Sequence, residues 1–469
     1  MPAYRAIAVP ADATIPLGLI EEAVTIAGVR ERRRRLLPAV AVVVFVLGCA
    51  LFCGEGYGEV ARKLAGWLGP LAGPGGWRLP GTGALARARR RVGPAPLRLL
   101  FARLAGPLAG PGTPGAFAFG RLLAALDGTV LDVPASPANL AAFGPPPTGG
   151  GHGAFPQVRV VTLVACGTHG IIDAVFRGRC ARASSEQDLA RKIAARGRCG
   201  PGMLVIADRN FGGYPVAAAL AATGADLLIR VKSSQWLPVL EVLPDGSARS
   251  VLPHPAAGRR AAVARHRGRP LPGPPAGLPV RLIQAEITIT PAGGKPRTER
   301  VRLITTILDW RAAPAAELAA CYAQRWEIEN SYRELKVFTR GPGQVLRSQT
   351  PAGITQEIWA LLCACQLTCA HRARAAATGG HDPDRISCTI TLRAIRRAIT
   401  TPAPAPAPAS SITTEALATL LPPRRRRSYP RHRLTSTAKR RAARAGLTGA
   451  ITCKITIIAP ARANDLPGP

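Results

Sequence analysis

The chain has 469 residues, with 62 Lys and Arg against 27 Asp and Glu, a formal net charge of +35. Apolar residues at 47% exclude wholesale disorder, and the 49 Gly and 45 Pro stay below the share found in low-complexity chains. The charge calls for a polyanionic partner, nucleic acid before an anionic membrane, and the 11 cysteines, an odd number with no C-x-x-C pair, indicate a reducing compartment rather than a disulfide framework.

Residues 1–110 read as a helical N-terminal DNA-binding domain. Within it, Leu36 to Cys53 is a run of 18 uncharged residues preceded by Arg30 and Arg32 to Arg35. A buried helix and a membrane span compete for that run, and the rest of the chain does not suit a bilayer. Arg87 to Arg91 forms a basic cluster. The period then changes. Leu126 to Val133, Val158 to Ala165, Ile171 to Arg177, Met203 to Asp208 and Asp226 to Val231 read as strands. Ser184 to Ala195 and Tyr214 to Ala222 read as helices, and Gly144 to Gly151 as a loop. This is an α/β layout with a mixed sheet, and residues 120–235 form its first part.

Residues 236–300 shift to Pro, Gly, Arg and short β-branched runs. They are expected to be a β-rich insertion and not a continuation of the sheet. Residues 301–345 return to the α/β layout with a strand at Val301 to Leu308 and one long helix over Pro314 to Phe338. Residues 346–400 form a helical region. Cys363, Cys365, Cys369 and His371 there read as buried helix residues rather than a zinc cluster. Residues 401–469 hold a Pro-Ala linker (Thr401 to Ala409) and a basic tail that includes Arg424 to Arg427.

Metal-dependent phosphoryl transfer needs clustered carboxylates, because two Mg²⁺ ions about 3.5–4 Å apart must be held by few ligands. In a chain poor in acids, acids at strand ends stand out. Asp127 lies in Leu-Asp-Gly-Thr, and Asp208 ends an apolar strand before Arg209 and Asn210. Either could also cap a turn. On an ideal helix Tyr322, Arg325, Glu329 and Lys336 fall within one stripe about 60° wide, with Glu327 and Glu334 well away from it. One acid thus shares a face with an aromatic ring and two cations.

Tyr322, Arg325, Glu329 and Lys336 match the Y-(2)-R-(3)-E-(6)-K signature, and in it the chain resembles DDE transposases of insertion-sequence family four. The blocks from Leu126 to Phe143 and from Ala207 to Gly212 resemble that family's first- and second-aspartate blocks, with Ala135 standing where many relatives carry an acid. The resemblance implies a ribonuclease-H-like mixed sheet with a β-rich insertion, flanked by helical N-terminal and C-terminal regions. It implies Asp127, Asp208 and Glu329 as catalytic residues holding Mg²⁺ or Mn²⁺. Tyr322, Arg325, Arg333 and Lys336 are implied to contact DNA. Trp236 in the insertion is a candidate to stack on a flipped base.

By the same resemblance the activity is cut-and-paste transposition. Water nicks the transposon end, the freed 3′-OH closes a hairpin on the opposite strand, and the reopened end attacks target DNA. The implied partners are double-stranded DNA, as transposon ends and target, and a second copy of the chain on paired ends. No membrane partner is implied, and the expected location is the bacterial cytoplasm at the nucleoid. The competing readings are a transposase-derived DNA-binding protein and a ribonuclease-H-like nuclease without strand transfer. Arg87, Arg89, Arg90, Arg91, Lys232 and Arg424 to Arg427 are expected to carry much of the phosphate contact.

Overall fold

A computed structural model describes residues 15–33, 35–72, 78–145, 155–267, 269, 273–290, 296–339, 341, 345–400, 409–423 and 452–460. The loop expected at Gly144 to Gly151, the Pro-Ala tract and Arg424 to Arg427 lie largely or wholly outside them. Six helices open the chain: α1 (Leu17–Ile26), α2 (Ala39–Leu51), α3 (Tyr57–Lys63), α4 (Ala65–Ala72), α5 (Thr82–Val92) and α6 (Ala95–Leu104). There follow β1 (Phe117–Ala118), β2 (Arg121–Asp132), α7 (Pro137–Phe143), β3 (Gln157–Ala165), β4 (Ile171–Gly178), α8 (Glu186–Ala194), β5 (Met203–Ala207), α9 (Tyr214–Ala221) and β6 (Asp226–Arg230). Next come β7 (Glu241–Val242), β8 (Ala248–Pro253), α10 (Pro255–His266), β9 (Gly277–Thr290), β10 (Arg297–Thr305), α11 (Ala315–Cys321) and α12 (Trp326–Arg333). The last elements are α13 (Pro351–Gly379), α14 (Cys388–Thr400), α15 (Ala409–Leu417) and β11 (Thr452–Ile457).

The chain divides into two compact units, and β2 runs through both. The first unit contains residues 1–116, 127–189 and 327–423. Its spine is α13, which begins with Pro351 in the first turn, where no amide is needed, and a Thr350 hydroxyl that accepts the Gly353 N–H. It ends at Gly380 in the left-handed conformation (φ 64°). Two buried glutamines on α13 tie down neighbouring backbone. Gln356 donates to the carbonyls of Arg89 and Gly93, and Gln366 accepts from Ile171 and donates to Leu104 and Gly106. The uncharged run after the arginine cluster becomes α2, whose residues are buried on almost every side against α13, α5 and the neighbouring N-terminal helices. That all-round burial explains why the run carries no charge. Among the described residues no helix is long and apolar enough to cross a membrane. Cys363, Cys365 and Cys369 are buried thiols of α13.

The second unit contains residues 117–126, 190–326 and 424–469. In it β2, β5 and β6 are parallel neighbours, β10 joins β6 antiparallel, and β9 and β8 follow. The expectation that the insertion stands apart from the sheet is thereby corrected. Its strands do continue the sheet, because β10 carries hydrogen-bonding edges for both β6 and β9. The insertion also contains a helix, α10, which begins at Pro255 after a capping His254. Its Ala-Arg composition lacks the clear apolar stripe that would have marked it. The basic tail contributes β11, which pairs with residues 285–290 of β9.

The five strands first met in the chain after β1 are adjacent in the order β4-β3-β2-β5-β6, with β3 and β4 antiparallel. Third, second, first, fourth, fifth with mixed directions is the ribonuclease-H-like arrangement that the sequence resemblance implies.

Candidate active site

Asp127 lies on β2 directly after the stretch paired with β5. The parallel register runs from Leu122 with Met203 to Leu126 with Ala207. The next residue on each strand is an aspartate, Asp127 on β2 and Asp208 beyond β5. Asp127 is partly buried, and one of its carboxylate oxygens accepts the Gly128 N–H at 2.7 Å. Asp208 is also partly buried and does cap a turn, since its Oδ1 accepts the Asn210 N–H at 2.8 Å. Turn capping does not exhaust this carboxylate, because each of its oxygens has more than one lone pair.

The single helix expected over Pro314 to Phe338 is instead four segments. α11 gives way to a 3₁₀ turn at Tyr322–Arg325, then α12, then a π turn at Glu334–Thr339. Equal 100° steps from Tyr322 to Lys336 therefore do not apply. A 3₁₀ turn advances more per residue than an α-helix and a π turn less, and such changes of pitch are frequent at functional sites.

The signature residues divide accordingly. In the second unit Tyr322 is nearly buried in the 3₁₀ turn, which packs on β5, the strand that leads to Asp208. Arg325 lays its guanidinium over the Trp326 ring at 4.9 Å. In the first unit Glu329 and Arg333 are exposed on α12, and Lys336 is partly exposed in the π turn. Between Glu329 and Arg333 stands Tyr332, buried against β2 and β3. Its hydroxyl donates to the Asp127 carbonyl and contacts Thr162 Oγ1 at 2.9 Å. Burial and the nearby Asp127 push the Tyr332 phenol well above its usual range, so it stays a donor. This bond fixes α12, and with it the stretch that bears Glu329, to the backbone of the first aspartate. Trp236 is half-buried in the loop after β6, with the Arg265 guanidinium 5.4 Å from its ring centre.

Three features escaped the sequence. Glu186, in the first turn of α8, packs against Gly128, where an added Cβ would sit 2.6 Å from the Glu186 carboxylate. A second acid thus lies beside Asp127, close against the backbone of Gly128. The second feature is a buried ionic network. His169, held at a left-handed φ of 61°, places Nδ1 2.8 Å from Glu334 and Nε2 2.9 Å from Glu327. Arg372 on α13 lies 2.9 Å from the same Glu334 oxygen. The ligand atoms of His169, Glu327 and Asp384 lie within 4.8 Å of one another. Burial alone would lower the imidazole pKa, but the charge of Glu334 and hydrogen bonds to both glutamates raise it to about 10. His169 is therefore an imidazolium between two carboxylates.

The third feature corrects the expected DNA contacts. Arg89 is 5% exposed and bonds to Gln356, Tyr57, Ser348 and Glu357. Arg91 meets Glu31 and the Leu37 carbonyl. Arg89 therefore serves the fold, whereas Arg87, Arg90, Arg91 and Lys232 are exposed.

The family described as transposase DDE domain matches residues 118–367, more than half of the chain. The chain belongs to this family of DNA transposases. The insertion element 4 transposase N-terminal family matches residues 11–102. The transposase InsG for insertion sequence element IS4 of Escherichia coli (strain K12) is 26% identical over 421 residues, 88% of this chain and 89% of that protein. The solved piggyBac transposase synaptic complex with hairpin DNA aligns over 99% of this chain and 86% of that chain, with a TM-score of 0.41 and 11% identity. The two family matches and the IS4 relative place the chain among the DDE transposases of the IS4 family, enzymes that act on DNA.

A divalent metal is implied by that family, and the donor chemistry fits one. The carboxylates at the ends of β2 and β5 offer hard oxygen ligands of the kind Mg²⁺ and Mn²⁺ take. The side-chain-free Gly128 beside Asp127 leaves space in which a third carboxylate, Glu186, already stands.

Proposed function

We propose that this transposase moves its element by cut-and-paste transposition, with Asp127, Asp208 and Glu329 as the residues that hold Mg²⁺ or Mn²⁺. The observation that carries the reading is the register of β2 and β5, which ends in two successive aspartates, together with the Tyr332 bond that ties α12 to Asp127. When bound, the cation supplies charge stabilisation at the reacting phosphoryl oxygens. The chain supplies the rest. Tyr322, Arg325 and Lys336 grip phosphates next to the scissile bond, and Arg333 adds a surface contact to the backbone. Trp236 offers a ring face to a base extruded at the hairpin turn. Hydrolysis of one strand leaves a 3′-OH. That hydroxyl attacks a phosphodiester of the opposite strand, which closes a hairpin and releases the flanking strand with its own 3′-OH; a second hydrolysis reopens the hairpin, and the same hydroxyl then attacks a phosphodiester of target DNA and releases a target 3′-OH. Two copies act on paired ends, at the nucleoid of a bacterial cytoplasm.

The test is cleavage of a labelled transposon end with Mg²⁺ or Mn²⁺, with binding measured in parallel. Asp127→Asn, Asp208→Asn and Glu329→Gln each lose cleavage by roughly 10³-fold or more, in keeping with loss of a group that acts in the transition state. All three bind DNA as well as the parent chain does. Normal cutting by Glu329→Gln sinks the assignment. Strand transfer from precut ends separates a transposase from a nuclease that stops at hydrolysis. Sizing the complex tests for two chains on two ends.

A further inference from the structure

Helix α14 carries Arg393, Arg396, Arg397 and Thr400 at i, i+3, i+4 and i+7, one face of a helix. Its other face, with Thr391, Leu392 and Ile395, is buried. The basic face lines a hollow of about 440 Å³ whose opposite wall is the corner between α2 and α3, with Phe52, Glu55 and Lys63. Among the described residues lining it are four cations and one carboxylate.

The wall is built, not fortuitous. The carbonyls at the C-terminal end of α2 already have their cations. Arg396 Nε donates to Leu51 at 2.6 Å, and Arg347 donates to Cys53 at 2.7 Å and to Glu55 at 2.8 Å. Lys63 Nζ sits 2.6 Å from Glu55 and 5.2 Å from the centre of the Phe52 ring. Arg397 pairs with Glu415 at the outer rim, where both side chains are well exposed. Such an exposed pair contributes little and yields readily to a stronger anion. Burial, with Arg393 adding like charge, pushes the Arg396 guanidinium below its usual range. Three arginines and a lysine around one open space outnumber its single carboxylate, and a multivalent anion bridging them would relieve their mutual repulsion.

We propose that this hollow between α14 and the α2–α3 corner is a binding site for consecutive backbone phosphates of double-stranded DNA. The proposal rests on the reading of the chain as a DNA-acting transposase and names a contact surface outside the carboxylate centre. Arginine forks suit phosphate oxygens, and the i, i+3/i+4 spacing lets neighbouring guanidinium groups reach successive phosphates. Glu55 competes with the DNA for Lys63, so its loss favours binding.

The experiment measures DNA affinity against salt for the full chain, with Arg393→Gln/Arg397→Gln and Glu55→Gln as variants. Each lost phosphate contact reduces the slope of log K against log salt by about 0.9, so the double variant should be shallower by about 1.8. Its affinity near 0.1 M salt should fall by on the order of tenfold. Glu55→Gln should bind several-fold more tightly, a gain that misfolding cannot produce. Affinities and slopes unchanged in both variants overturn the proposal. Inorganic triphosphate supplies the second arm. If calorimetry shows that it binds the parent chain and not the double variant, while DNA affinity is the same in both, the hollow takes a free polyphosphate and the DNA assignment fails. If the parent chain itself shows no salt-dependent DNA binding, the reading beneath the proposal is what fails. Asp127→Asn, which loses cleavage but keeps the parent slope, separates this site from the catalytic one.

Discussion

Glu329 and Glu334 stand five residues apart and face opposite demands. Glu334 is 6% exposed, wedged between His169 and Arg372, while Glu329 is exposed on α12. Taking a carboxylate out of water costs several kcal/mol, which the fold recovers only by surrounding it with matched cations. Glu334, and Glu327 beside it, thus serve to anchor α12 from within. Glu329, on the exposed side, carries no such desolvation cost. One short stretch supplies both buried structural acids and an exposed one, and the difference follows from what lies across from each rather than from its place in a motif.

The largest expected effect sharpens this contrast in stability. Glu334→Gln should destabilise the fold by about 3–5 kcal/mol, because two buried cations lose their counter-charge. Glu329→Gln should change it by less than about 0.5 kcal/mol, as surface substitutions do. Urea unfolding followed by circular dichroism reads both, and equal losses would erase the distinction. Glu327→Gln comes next, at about 1–3 kcal/mol, since Glu327 is less enclosed and an amide still bonds to the imidazole. Cleavage per folded molecule should be retained.

The last contrast is one of pH dependence and concerns His169, whose pKa is raised from 6.5 to about 10. Its contribution to stability is fully present below pH 6.5, declines as pH rises and is lost above about pH 10, because only the folded state keeps the proton in that window. Unfolding midpoints across pH 6–10 should fall more steeply for the parent chain than for His169→Gln. Parallel curves would mean that the imidazole is not charged in the fold.

Much of this site is legible in the residues themselves. Asp127 and Asp208 stand out because acids are scarce and each ends an apolar run. The strand boundaries of β3, β5 and β6 follow from alternation and burial of local segments. What stays hidden depends on distant partners. His169, Glu334 and Arg372 meet from three separate stretches, and no spacing announces them. The shift from 3₁₀ to α to π over residues 322–339 leaves no composition signal either, since tertiary packing of Tyr332 and Glu334 decides it. Glu186 reads as an ordinary first-turn acid until Gly128 is placed beneath it. α10 was lost because arginine and alanine suit loops and helices alike in a Pro-rich context.

The pairing of β11 with β9 has a bearing on how the protein is made. Residues 285–290 of β9 wait for a partner that begins at Thr452, over 160 residues further along. During synthesis, and in any fragment cut between those points, that stretch is a ready template for a strand from another molecule. Truncated products of this gene should accordingly be sticky, and a late-arriving segment of the tail acts as the cap that makes the finished chain solitary along that edge.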